Sequence, residues 1–211
     1  MLFRSAAWEG LRAPARGIVA RHVADSSRGM ARWALRGPDL AAEADLDDYM
    51  HEVAGRVGWL LTELFALDVA AVGERRGEMM DRGREFGLGL QTVNVIRGLH
   101  DDWRRGWNYV PRSFGEREES LARLVAKAER HLDQARGYIV GIPRRHHGIR
   151  LFCLLPYLFA VRTLAISRAN PAVFEREVKL ERAEVTGILR DARAWGWSNR
   201  WIERTAKRLG S

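Results

Sequence analysis

The chain has 211 residues, 46% of them hydrophobic, which suits a single domain with a substantial core and excludes disorder as the default. Its net charge of +8 favours polyanionic partners such as diphosphates or anionic lipid headgroups, but the charge is spread along the chain and no nucleic-acid-binding fingerprint accompanies it, so nucleic acid is not the expected partner. A lone cysteine, Cys153, excludes an internal disulfide and suits a reducing cytoplasm; Met1-Leu2-Phe3-Arg4 leads into no apolar run, and no uninterrupted apolar run is long enough to predict a transmembrane helix.

Helical periodicity predicts helices over 16–35, 45–66, 76–104, 116–140, 147–168, 180–194 and 197–208, and the missing period-two alternation predicts no sheet. The expected fold is therefore all-α, one helical domain over 1–211. Breaks fall at Gly37-Pro38, Pro111, Gly141-Ile142-Pro143 and Asn170-Pro171. In the 45–66 helix, Leu46, Tyr49, Val53, Val57, Leu60 and Leu64 form an apolar stripe, and Asp45 and Asp48 suit its N-terminus. Gly55 and Gly58 let a neighbouring helix approach closely. On its own position Tyr49 reads as a core tyrosine with a satisfied hydroxyl.

The 76–104 helix is apolar but carries Gln91, Asn94, Gly98 and Asp102 on one narrow stripe at 100° per residue. Arg97 and Asp101 lie four apart on its flank, close enough to interact. Such a stripe is either a helix end emerging into water or the wall of a cavity that pairs its polar groups. In the 147–168 helix, Pro156 is expected to introduce a kink, and apolar neighbours make Cys153 a buried, inert thiol. At the carboxy-terminal end Trp195, Trp197 and Trp201 are interleaved with Arg190, Arg193, Arg200, Arg204, Lys207 and Arg208. This stretch is expected to be a packing helix whose tryptophans cover the bundle, with a membrane-interface helix as the alternative.

Residues 91–111 resemble the second aspartate-rich motif of the squalene and phytoene synthase family, Gln-x-x-Asn-Ile-x-Arg-Asp-x-x-(Glu/Asp)-Asp-x-x-x-Gly-Arg-x-(Tyr/Phe)-x-Pro. Gln91, Asn94, Val95, Arg97, Asp101, Asp102, Gly106, Tyr109 and Pro111 match it; Gly98 replaces its first aspartate and Trp107 its arginine. Tyr49 to Gly58 is similar to the family's Tyr-x-x-x-Val-Ala-Gly-x-Val-Gly helix, and Ser27-Arg28-Gly29-Met30-Ala31 to the helix before it. Phe152 to Pro156, Asn170 to Phe174 and Lys179 to Arg182 resemble later core helices, so the likeness runs from 18 to 188.

The resemblance implies an isoprenoid-synthase-type bundle lacking its amino-terminal helices, since residues 1–38 hold no Asp-x-x-x-Asp. It implies a prenyltransferase that condenses two prenyl diphosphates head to head, farnesyl diphosphate to squalene first among them. In that reading Tyr49 and Arg97 are catalytic, Asp101 and Asp102 bind Mg²⁺, and Gln91, Asn94, Arg97, Val53 and Val57 contact substrate. NADPH is a further cofactor of the squalene-forming reaction. The departures at Gly98 and Trp107 and the lack of a facing aspartate motif imply that this chain alone is a poor catalyst. The second reading is a non-catalytic relative that binds lipid or assembles with a partner. A partner subunit or homo-oligomer, and peripheral membrane attachment from the cytoplasm, are further expectations.

Overall fold

The computed structural model describes residues 6–37 and 39–211; Met1 to Arg4 and Pro38 of the Gly37-Pro38 break lie outside them. A short α1 (Ala6–Glu9) precedes α2 (Ala13–Arg36), which begins with a proline in its first turn, where a missing N–H removes no helical bond. The next predicted helix is three pieces. α3 (Glu43–Met50) starts where Asp45 accepts the Ala41 and Ala42 amides at 2.9 and 3.0 Å, a π-helical turn covers His51–Gly55, and α4 (Arg56–Ala66) follows. After α5 (Ala70–Glu74), the long α6 (Arg76–Arg104) occupies the predicted span, and α7 (Arg117–Gly141), α8 (His147–Ser167), α9 (Arg182–Trp195) and α10 (Asn199–Gly210) complete the bundle. No strand occurs among the described residues.

α6 is the axis of the fold: it packs along α7 and crosses α4 and the π-turn. The crossing is set by glycine. A Cβ on Gly58 would overlap the Gly83 carbonyl, and one on Gly87 would overlap the carbonyl of Ala54, so the two backbones touch at successive turns. Tyr138 of α7 seals this crossing, its hydroxyl 2.9 Å from Thr62 Oγ1, which donates to the Gly58 carbonyl at 2.8 Å. The expectation that Gly55 and Gly58 admit a neighbour holds, and α6 is that neighbour.

The apolar stripe of 45–66 is not the buried face throughout. Leu46 and Met50 are buried before the π-turn and Glu52 and Gly55 within it, but after it the buried positions are Gly58, Thr62 and Glu63, while Val57 is 46% exposed. A π-turn closes i→i+5 bonds and shifts the phase of the helix. Asp48 also departs from the N-terminal role given to it: it pairs with Arg32 at 2.7 Å and accepts the Trp33 indole N–H at 3.0 Å. Two buried carboxylates tie α2 to this segment. Glu63 receives His22 at 3.1 Å together with Arg21 and Arg76; Glu52 is paired with Arg56 and Arg32, and sits where Gly29 leaves room for it.

In α8, Pro156 lies inside a continuous helix and Cys153 is fully buried, its thiol pushed up to about 12 by burial. By length and composition α8 is apolar enough to cross a membrane, although uninterrupted runs in the sequence did not mark it; half of its apolar window is buried inside the bundle. Trp201 packs against the core as expected, but Trp195 and Trp197 stay out of it, 53% and 45% exposed.

Candidate functional site

The π-turn leaves Tyr49 at the last turn of α3, facing the loop that follows α6. Its ring stacks on Tyr109 at 4.6 Å and 17°, and meets the edge of Trp33 at 5.6 Å. Trp107 stands nearly perpendicular to Tyr109 at 6.0 Å. These four aromatics, with Met30, Ala34 and Gly37, line a pocket of about 240 Å³. Burial, then the adjacent Tyr109 hydroxyl and the negative charge of Asp102, hold the Tyr49 phenol well above the ordinary tyrosine range. At neutral pH Tyr49 is therefore a protonated hydroxyl within a ring of π-faces, which attract positive charge.

Asp102 lies near that pocket on the last turn of α6 and has no hydrogen-bond or ion-pair partner for its carboxylate among the described residues. Burial raises its pKa, Arg105 opposes the shift, and Asp101 adds to it. Gly98 is one turn earlier; a Cβ there would sit 3.0 Å from Asp102 Oδ2, so an aspartate at 98 would place a second carboxyl against this one. Trp107 supplies an indole wall, half exposed, in place of a charge.

The other predicted site residues are spread more widely. Arg97 is exposed and pairs with Glu177 at 3.5 Å, not with Asp101: the flank of α6 meets the segment after Phe174, a contact 80 residues away in sequence. Asn94 is exposed and Gln91 half-buried, on the face of α6 turned from the core. Val53 is half-buried and Val57 exposed, and neither lines the Tyr49 pocket. Val95, a match to the same motif as Gln91 and Asn94, is buried in the core. Of the predicted set, only Tyr49 lines the aromatic pocket, with Asp102 close enough to act on it electrostatically. Trp33 is the member that sequence reasoning missed; its tie to Asp48 across two helices leaves no mark in local periodicity.

No group of three or more acidic, histidine or cysteine side chains suited to a metal occurs among the described residues. The donor set at the end of α6 is two consecutive carboxylates, Asp101 and Asp102. Mg²⁺ is commonly held by one or two carboxylates plus substrate phosphate oxygens, so this pair fits a metal shared with a diphosphate and not one caged by protein alone.

Residues 5–184 match the squalene/phytoene synthase family model. The chain belongs to the squalene/phytoene synthase family. Its relatives include a squalene synthase of Gibberella zeae, 26% identical over 202 residues that cover 85% of this chain and 43% of the relative, and the human squalene synthase, 27% identical over 170 residues that cover 72% and 40%. The chain thus spans about two fifths of the length of the curated relatives it matches. The solved structure of TcSQS with the ligand BPH1237 superposes with a TM-score of 0.82 at 23% identity, covering 96% of this chain and 62% of that one. The squalene/phytoene synthase fold, an isoprenoid-synthase-type helical bundle, is therefore the fold of this chain.

Proposed function

We propose that the chain carries one wall of a head-to-head prenyl-diphosphate condensation site, with farnesyl diphosphate as substrate and squalene as the first candidate product. The observation that carries this reading is the four-aromatic pocket around Tyr49 beside the unpartnered Asp102, in a chain of this family. Asp101 and Asp102 would hold Mg²⁺ against diphosphate oxygens, and the ion would neutralise charge on the departing diphosphate. Arg97, exposed and only loosely held by Glu177, is free to turn toward the same oxygens. Gln91 and Asn94 extend the polar face along α6, and Val53 and Val57 offer the apolar surface on which a prenyl chain lies. Tyr49 keeps its proton and presents a neutral hydroxyl, while the rings around it favour a cation and exclude water. NADPH enters as the hydride source that a squalene product requires. A facing acidic set from beyond the described residues, on a partner subunit or a second copy, completes the clamp. The setting proposed is the cytoplasm.

Calorimetry with Mg²⁺ and inorganic diphosphate tests the wall directly. Binding should depend on Mg²⁺ and weaken by at least about tenfold in Asp102→Ala and in Arg97→Ala, the scale of one lost charge contact. Gly98→Asp should tighten Mg²⁺ binding by placing a carboxyl beside Asp102. Binding that ignores all three substitutions would mean that the polar stripe is plain surface.

A further inference from the structure

Arg150 is fully buried and has no carboxylate partner among the described residues. Its guanidinium donates to the Ile142 carbonyl at 2.6 Å, the Gly196 carbonyl at 3.3 Å and Asn199 Oδ1 at 2.6 Å. One side chain thus ties the α7–α8 turn to the α9–α10 turn. His147 Nε2 repeats the link at the surface, donating to the Arg193 carbonyl at 3.2 Å.

The joined turns bring Arg144, Arg145, Arg193 and Arg200 to the same end of the bundle as the exposed Trp195 and Trp197. Neither 143–150 nor 192–202 contains an acidic residue, and among the described residues none of these four arginines is in an ion pair. By contrast, Arg12 just before α2, Arg32 in α2 and Arg56 in α4 are each paired with a carboxylate. The Trp197 indole N–H is satisfied by the Ala194 carbonyl at 3.1 Å, which fixes the ring at the surface instead of burying it.

We propose that this end of the bundle docks on anionic phospholipid surfaces. Guanidinium forks fit phosphate oxygens, and exposed tryptophan rings seat at headgroup level, where an apolar face and a polar edge are both satisfied. A nucleic acid would use the arginines but leaves the pair of outward tryptophans without a partner. The patch adjoins Gly141, which packs on Met79 near the start of α6. Asp102 lies 23 residues further along that helix, roughly 35 Å away at 1.5 Å per residue, so docking leaves the Tyr49 pocket uncovered.

Flotation of the purified chain with vesicles tests this. It should float with phosphatidylcholine–phosphatidylglycerol vesicles, not with phosphatidylcholine alone, and release at high salt. Arg144→Gln with Arg145→Gln should weaken partitioning roughly 30-fold, on the scale of two lost surface cations. Trp195→Ser with Trp197→Ser should weaken it independently. Equal binding to both vesicle types, undiminished binding in both double variants, or capture of a short DNA duplex without vesicle binding would each overturn the proposal.

Discussion

Gly58→Ala probes the backbone contact on which the crossing of α4 and α6 rests. The new methyl would overlap the Gly83 carbonyl oxygen and lie 3.1 Å from the Arg84 amide nitrogen. Both are backbone atoms, so no rotamer change relieves the clash, and α4 must move from α6 by more than an ångström. Overpacking of this kind costs about 1–3 kcal/mol, and the rigidity of the obstacle places it at or above the top of that range. Helix propensity returns about 0.8–1.0 kcal/mol on replacing glycine by alanine. The net loss is about 2–3 kcal/mol, or a fall in Tm of about 4–12 °C for a domain of this size. Gly17→Ala in α2 is the matched control: nothing lies within 4 Å of its Cβ position, so propensity alone should raise Tm by about 2–4 °C. Thermal unfolding by circular dichroism reads both. A Gly58→Ala protein that melts with or above the wild type would refute the close crossing of α4 and α6.

Arg150→Met should destabilise by about 3–5 kcal/mol, because it leaves two backbone carbonyls and the Asn199 amide oxygen without their donor; hydrogen exchange should show the α9–α10 turn opening first. Glu52→Gln tests a buried ion pair by its pH dependence: the Arg56 hydrogen bond holds the Glu52 carboxyl below its usual 4.5, so its stabilisation is present above that value and disappears as pH falls through the folded pKa. The variant should therefore be less stable at pH 7 in denaturant titrations, and the gap should close in acid. Asp102→Asn has the opposite sign. Burial raises the folded pKa above 3.8, so the ionised carboxylate destabilises at neutral pH, and the penalty fades as pH falls through the folded value to below the unfolded one. The asparagine variant should be more stable at pH 7 and lose that advantage in acid; an unchanged difference across the range would mean that Asp102 is fully solvated.

Long periodic helices were the most legible part of the fold. α6 spans the expected 76–104, and α7 to α10 begin and end within a few residues of expectation, because their apolar periods end at explicit breaks such as Pro143 and Asn170-Pro171. α2 begins earlier than its apolar period does; Pro14 in its first turn is the local signal for that start. The five-residue α5 is too short to show a period, and the π-turn is a backbone event inside an unbroken apolar stripe, so neither could be read locally. At the site, Tyr49 and Asp102 were legible as members of long motifs. The partner of Arg97 was not: residue spacing offers Asp101, one turn away, whereas tertiary packing brings Glu177. The aromatic ring around Tyr49 draws on α2, α3 and the loop after α6, a convergence that no single window contains.

The π-turn at His51–Gly55 has a consequence for how this segment can vary. In an unbroken α-helix, Tyr49 and Gly58 would be fixed in one phase, and any rotation that improved the glycine crossing would swing the tyrosine with it. With the wider turn between them, α3 answers to Trp33 and Tyr109 while α4 answers to the backbone of α6. The two halves behave like gears joined by a clutch: the pocket can be retuned by changes at one end without disengaging the crossing at the other, and deletion of one residue inside 51–55 would lock them together again.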